Sequence, residues 1–437
     1  MRIKITDMDN FIKTFNNIYP NNTINKINGI TIDSRKIEEY DIFIPLKGDN
    51  YDGHDFINKA LTIKGTISLN QNKKIRNKRV IQTKSNIDAL TRLASLWRKK
   101  ISSNIIAITG SNGKTTTKEL LYHILKDKYK CSKSSGNHNS SIGLPLSLLN
   151  CNVNDEYTIL ELGANQKGEI ATLCNLIMPN YSLVTNISNN HIENYNSFDE
   201  LVETKLAIFK KLKVSGIAFI NLNDKEISKV QLPNKKITFG MFKDSNFNGI
   251  LSNNNLMIND AIFNIPTKLL HLTNTILSVY AISKTLNISD IHFQNSINSF
   301  SIPSGRGNSV KVNNYTIIDD AYNASPSSMI LGIKRFSKLH SKNRKILIIG
   351  DMLELGSHAN LEHEKLGSFI NNLNIDIVLT FGTLTKKTFS KLDDSFTYKE
   401  HFDSMDVLKK TFKSKVEKND FIYLKGSRFT KLERIYK

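Results

Sequence analysis

Four consecutive apolar residues, Ile105-Ile-Ala-Ile108, run into a short glycine-containing stretch, after which Leu120, Leu121, Ile124 and Leu125 recur at helical spacing. An unbroken apolar run followed by a 3.6-residue period predicts a strand covered on both faces that feeds an amphipathic helix beginning near Lys114. A helical stretch is predicted just upstream, over 87–99, and further strands over 157–162, 182–185 and 217–221. Strands alternating with helices predict a largely parallel sheet with helices on both faces. Before this block, short strand-like pieces over 29–32 and 41–44 are punctuated by Asp-Ser-Arg and Lys-Gly-Asp turn chemistry. After Ser301 a second alternating series, with strands over 316–318, 345–349, 377–380 and 421–424, predicts another doubly wound unit.

Composition narrows the class without naming a chemistry. A chain of 437 residues is long for one core and suggests two to four domains. No apolar stretch approaches the roughly 18 residues that span a bilayer, and the first ten residues carry acids where a signal core would be apolar. A soluble cytoplasmic protein without membrane insertion is expected. Cys131, Cys151 and Cys174 lack metal-ligand spacing and are odd in number, so three reduced thiols are expected. The net charge of +20 raises nucleic acid as a partner. However, lysine is spread along the whole chain, and the one local cluster, Lys73, Lys74, Lys78 and Arg79, has no interleaved aromatics. No nucleic-acid partner is expected; a substrate carrying phosphates suits the same charge.

The segment joining the apolar run to its helix reads Thr109-Gly-Ser-Asn-Gly-Lys-Thr-Thr116. Gly110 and Gly113 allow the turn, the backbone of Ser111, Asn112 and Thr116 can face phosphate oxygens, Lys114 can reach the β- and γ-phosphates, and Thr115 can offer a hydroxyl to Mg²⁺. The general phosphate-loop pattern places a glycine where this chain has Ile108. ATP is the expected cofactor, with Mg²⁺. Glu161, closing a predicted strand, is either a second metal ligand or an ordinary strand-end acid. His191 is either a ligand or a structural histidine, and Lys205 either a site residue or a solvated helix lysine.

Together the motifs resemble the Mur ligase family, ATP-dependent amide-forming enzymes of peptidoglycan synthesis. The resemblance runs through Asp33-Ser-Arg35, Leu46-Lys-Gly48, Asp52-Gly-His54, the phosphate loop, Gly136-Asn-His-Asn139, Glu161-Leu-Gly-Ala-Asn165 and Lys425-Gly-Ser-Arg428. Asp319-Asp-Ala-Tyr-Asn-Ala-Ser-Pro326 and Gly350-Asp-Met-Leu-Glu-Leu-Gly356 resemble the branch that joins D-alanyl-D-alanine to UDP-N-acetylmuramoyl-tripeptide. The resemblance implies three α/β domains: a UDP-substrate-binding domain over 1–83, a central phosphate-loop ATPase domain over 84–300, and a C-terminal Rossmann-like ligase domain over 301–437. It implies that UDP-N-acetylmuramoyl-tripeptide and D-alanyl-D-alanine are the partners; a monomer is expected. It further implies catalytic roles for Lys114, Lys205 and His191, with Thr115, Glu161 and His191 on metal and Lys205 as a carbamate. His271, Arg306 and Asp320 would join the loop in binding nucleotide. Ser34, Arg35, Asn137, Asn139, Tyr322 and Asn323 would bind the other substrates. The chain departs from the family at Ser140, at Leu206-Ala207 and at Thr275. Two other readings stay open: a relative adding a single amino acid, and a phosphate-loop protein that only binds nucleotide or nucleic acid.

Overall fold

The computed structural model describes residues 1–48, 51–71, 75–189, 192–241, 244–339 and 343–437. It is an α/β protein with three sheets. The first has five strands in sequence order, with only the opening pair antiparallel. The second has nine strands and carries the apolar run third from one edge, as Asn104–Thr109 between Tyr157–Glu161 and Tyr181–Val184, both parallel to it. The third has six strands, all parallel except Asn308–Val312 against Tyr315–Asp320.

The unbroken hydrophobicity of the central strand follows from its position. Ile105 and Ala107 pack into one core, Ile106 and Ile108 into another on the opposite face. All four are fully buried, because a strand's side chains alternate faces and both faces here are covered. Lys345–Gly350 repeats the device in the C-terminal sheet, with Ile346 and Ile348 on one side and Leu347 and Ile349 on the other. The predicted helix over 87–99 spans Asn86–Lys100, capped by the Ser85 hydroxyl accepting from the Asp88 nitrogen. Its buried face holds Leu90, Leu93, Ala94 and Trp97. The same core takes in Phe11 and Phe15 from the first block and Leu146 and Leu148 from the central one. The five-stranded sheet is therefore packed onto the central unit through this helix.

The hydrophobic pattern missed the far edge of the central sheet. Strands Phe247–Ser252, Asn255–Ile258 and Ala261–Asn264 form an antiparallel meander. Its turns are Asn253-Asn254 and Asn259-Asp260, with Asn253 and Asn259 in the left-handed region. Two-residue turns of this kind select asparagine, so the signal lay in the turn residues. Helix Thr273–Thr285 was also missed. Its apolar residues are interleaved with buried Ser278 and Ser283, so no polar stripe marks a helix.

The cysteines are free thiols, as expected. No helix among the described residues is long and apolar enough to cross a membrane. Lys73 and Lys74 of the basic cluster lie outside the described residues. Arg79 of that cluster spends its guanidinium on the carbonyls of Leu61, at 2.6 Å, and Ile63, at 3.3 Å. It is a structural residue.

Candidate active site

Carboxyl ends of parallel strands are where an α/β sheet leaves room for ligands. Here the ends of the central strands bring together residues 109–116, Glu161 and Thr185 to Ser188. Gly110 has φ 142° and Gly113, which starts helix Lys114–Leu125, has φ 81°. The turn is braced from the neighbouring strand end. The Ser111 nitrogen donates to the Asn186 carbonyl at 2.8 Å, and the Asn112 nitrogen to the Asn186 side chain at 3.0 Å. The Thr185 hydroxyl and the Asn186 amide both donate to the Asn112 carbonyl. This corrects one expectation. The amides of Ser111 and Asn112 are committed to Asn186, so anion binding falls to the first-turn amides of the helix, which have no intrahelical acceptor.

The brace makes a prediction. A Cβ at Gly110 would overlap the Thr185 hydroxyl and lie 3.0 Å from its nitrogen, on a backbone of positive φ. Gly110→Ala should destabilise the protein by roughly 1–3 kcal/mol and weaken ADP binding. Thermal unfolding and calorimetric titration with ADP check both, and an unchanged pair of values would contradict the brace.

Lys114 folds back onto its own loop, donating to the carbonyls of Gly110 at 2.7 Å and Ser111 at 3.1 Å. Burial lowers its pKa; Glu161 opposes that shift and Arg306 adds to it. The Thr115 hydroxyl donates to Glu161 Oε2 at 2.7 Å, and the Asn139 amide to Oε1 at 2.8 Å. Glu161 is 2% exposed. A hydroxyl and a carboxylate this close are hard oxygen donors that fit a magnesium ion completed by phosphate oxygens and water. Lys205 lies on the inner face of helix Phe198–Lys210 with Leu201, Thr204 and Ile208. Burial, and then the charge of Lys114, bring its amine down to about 7. His191 lies outside the described residues.

The C-terminal sheet covers this floor. Asp320 and Lys425 end neighbouring parallel strands in register, and Asp320 accepts from the Lys425 ammonium and the Tyr423 hydroxyl, each at 2.7 Å. The Arg306 guanidinium lies 4.0 Å over the Tyr322 ring. Lys425 also donates to the Asn323 carbonyl. His271, from the central unit, sits against Gly307, where a Cβ would come within 3.2 Å of Nε2. That nitrogen is buried with no hydrogen-bond partner among the described residues. Ser327 reaches Ser188 across the gap at 3.4 Å.

Floor and roof flank an open cleft of about 1220 Å³. It brings together Ser111, Asn112, Gly113, Lys114, Thr115, Thr116, Asn137, Asn139, Glu161, Lys205, His271, Arg306, Asp320, Tyr322 and Asn323. Gly110 lies behind it, in the brace. Ser34 and Arg35 are not in its wall. Arg35 is 84% exposed and forks onto Asp33, holding that carboxyl well below the usual range. Three residues that sequence reasoning passed over also belong to the site. Asn186 braces the loop, Arg335 lines the roof, and Lys118 lies fully buried beneath the floor. Only Lys118 left a signal, standing one helical turn after Lys114.

Residues 108–282 match the Mur ligase middle domain, 305–428 the Mur ligase glutamate ligase domain, and 26–94 the Mur ligase family catalytic domain. The chain is 31% identical over 94% of its length to the UDP-N-acetylmuramoyl-tripeptide--D-alanyl-D-alanine ligase of Bacillus subtilis (strain 168), covering 93% of that protein. The chain belongs to the Mur ligase family. A second ligase of the same name, from Buchnera aphidicola subsp. Baizongia pistaciae (strain Bp), is 34% identical over 99% of this chain and 96% of its own length. Among solved structures, MurF ligase from Thermotoga maritima in complex with ADP superposes with a TM-score of 0.80 at 28% identity, covering 93% of this chain and 95% of its own. MurF from Acinetobacter baumannii, at 23% identity, shares the fold with a TM-score of 0.85 over 97% of each chain. The Mur ligase assignment bears out the family and the three-domain α/β architecture that the resemblance implied.

Proposed function

We propose that this Mur ligase joins D-alanyl-D-alanine to UDP-N-acetylmuramoyl-tripeptide at the expense of ATP. The observation that carries the reading is the shared cleft, where a phosphate loop with its lysine faces a roof of Arg306, Asp320 and Lys425. The full-length likeness to ligases of that name supports the choice of substrates.

In the proposed reaction the terminal carboxylate of the tripeptide takes the γ-phosphoryl group of ATP, giving an acyl phosphate and ADP. The amine of the dipeptide then attacks the acyl carbon, loses a proton and expels phosphate. The obstacle in the first step is the meeting of two anions. The first-turn amides of the helix and the Lys114 ammonium, exchanging its loop carbonyls for phosphate oxygens, offset that repulsion and follow the charge as it spreads in the transition state. Thr115 and Glu161 would hold Mg²⁺, with His191 as a further ligand; the ion would neutralise phosphate charge. Arg306 and Asp320 belong to the nucleotide side, with His271 beneath them. Asn137 and Asn139 would hold the tripeptide end, Tyr322 and Asn323 would line the path of the dipeptide, and Ser34 and Arg35, in the 1–83 domain, would hold the uridine end. Closing the roof further onto the floor would exclude water that would hydrolyse the acyl phosphate.

An acceptor panel tests the choice of amine. With UDP-tripeptide and ATP fixed, D-alanyl-D-alanine should support product formation at least tenfold faster than lysine or diaminopimelate, a difference of about 1.4 kcal/mol. Preference for a single amino acid would replace this reading with that of a sister ligase.

A further inference from the structure

Lys118 is a lysine with no exposed surface, held where a charge is costly unless fully partnered. Its ammonium donates to the carbonyls of Ser134 at 2.7 Å and Gly136 at 2.8 Å. It also lies 3.3 Å from Glu119 Oε1 and 3.9 Å from Glu161 Oε2. Ser134 in turn accepts from the Glu161 nitrogen through its hydroxyl at 3.1 Å. The segment these contacts pin, residues 134–140, carries Asn137 and Asn139 into the cavity, and Asn139 closes the circuit on Glu161. The Gly163 nitrogen donates to the Asn139 carbonyl at 2.8 Å. Helix, carboxylate and loop therefore meet at one nitrogen. A fully buried apolar residue would fill the same space at lower cost, but it would leave two carbonyls unpartnered and the loop free to shift along the helix.

We infer that Lys118 is a positioning residue that locks the 134–140 loop to the phosphate helix, so that the acyl donor is presented in register with the nucleotide. This rests on the proposed reading in which Asn137 and Asn139 hold the tripeptide end. The test compares wild type with Lys118→Met, Lys118→Gln and Lys118→Arg, measuring KM for each substrate, kcat, and direct binding of ADP and of UDP-tripeptide. Lys118→Met should raise the KM and the dissociation constant for UDP-tripeptide by roughly tenfold or more, with ADP binding and the KM for the dipeptide changed less than about threefold. Lys118→Arg, which keeps a charged donor, should recover part of the loss. Equal weakening for all three substrates, or unchanged UDP-tripeptide binding in a folded Lys118→Met, would overturn the inference. So would a chain that folds with none of the three residues, since Lys118 would then be a core strut. Wild type that fails to bind UDP-tripeptide at all would instead count against the proposed function.

Discussion

Lys114→Ala is expected to lower ATP turnover by about 10²–10³-fold or more while leaving thermal unfolding close to wild type. Both halves follow from the contacts of the ammonium. Its partners are carbonyls of its own loop, those of Gly110 and Ser111, so the ammonium works within the loop and does not tie one element of the fold to another. The fold is held elsewhere, by Ile105 to Ile108 between two cores and by the Asn186 brace. Charge stabilisation in phosphoryl transfer has no such substitute. Burial already disfavours the ammonium, so phosphate, which restores its charge balance, should bind it strongly. Steady-state turnover beside circular dichroism reads both quantities. Near-normal turnover in a folded variant would mean that the loop is not the phosphate site.

Lys205 carries the second large effect, and its sign differs between activity and stability. Its amine titrates at about 7 in the folded chain against an ordinary 10.5. Between those values the unfolded chain holds the proton and the folded chain does not, so the buried amine's penalty is greatest below pH 7 and stability rises with pH up to about 10.5. Lys205→Met removes that penalty. It should stabilise the protein at pH 6 by roughly 1–4 kcal/mol, with the gain fading toward pH 10, while ligation falls by about 10²-fold or more. The neutral amine is also the form that adds carbon dioxide. A carbamate signal from labelled bicarbonate should therefore grow as pH passes through about 7 and vanish in the variant. Unfolding at several pH values, carbon NMR and ligation rates read the three arms. A variant with full activity and no carbamate signal in wild type would dismiss the role.

Much of the phosphate loop is legible in the sequence because its signals are local. Apolar run, glycines and lysine in Ile105 to Lys114 encode strand, turn and helix locally, so the loop came out where it was expected. Glu161, Asn139 and Lys205 could be nominated only through resemblance, because nothing local distinguishes a strand-end acid from a ligand or an inward lysine from a solvated one. Burial decides that: Lys205 faces in because Leu201 and Ile208 share its side of the helix. Asn186 and Lys118 escaped because their work is long-range, one binding a loop 74 residues away and the other a loop 16 and 18 residues on. The expectation that Ser111 and Asn112 turn their amides to phosphate failed for the same reason, since their acceptor is supplied by another strand.

The central claim is tested most directly by ligation with the purified protein. With ATP, Mg²⁺, UDP-N-acetylmuramoyl-tripeptide and D-alanyl-D-alanine present, phosphate should be released in step with a UDP-linked pentapeptide, and omitting the dipeptide should stop both. Phosphate release indifferent to the dipeptide, with no pentapeptide formed, would contradict it.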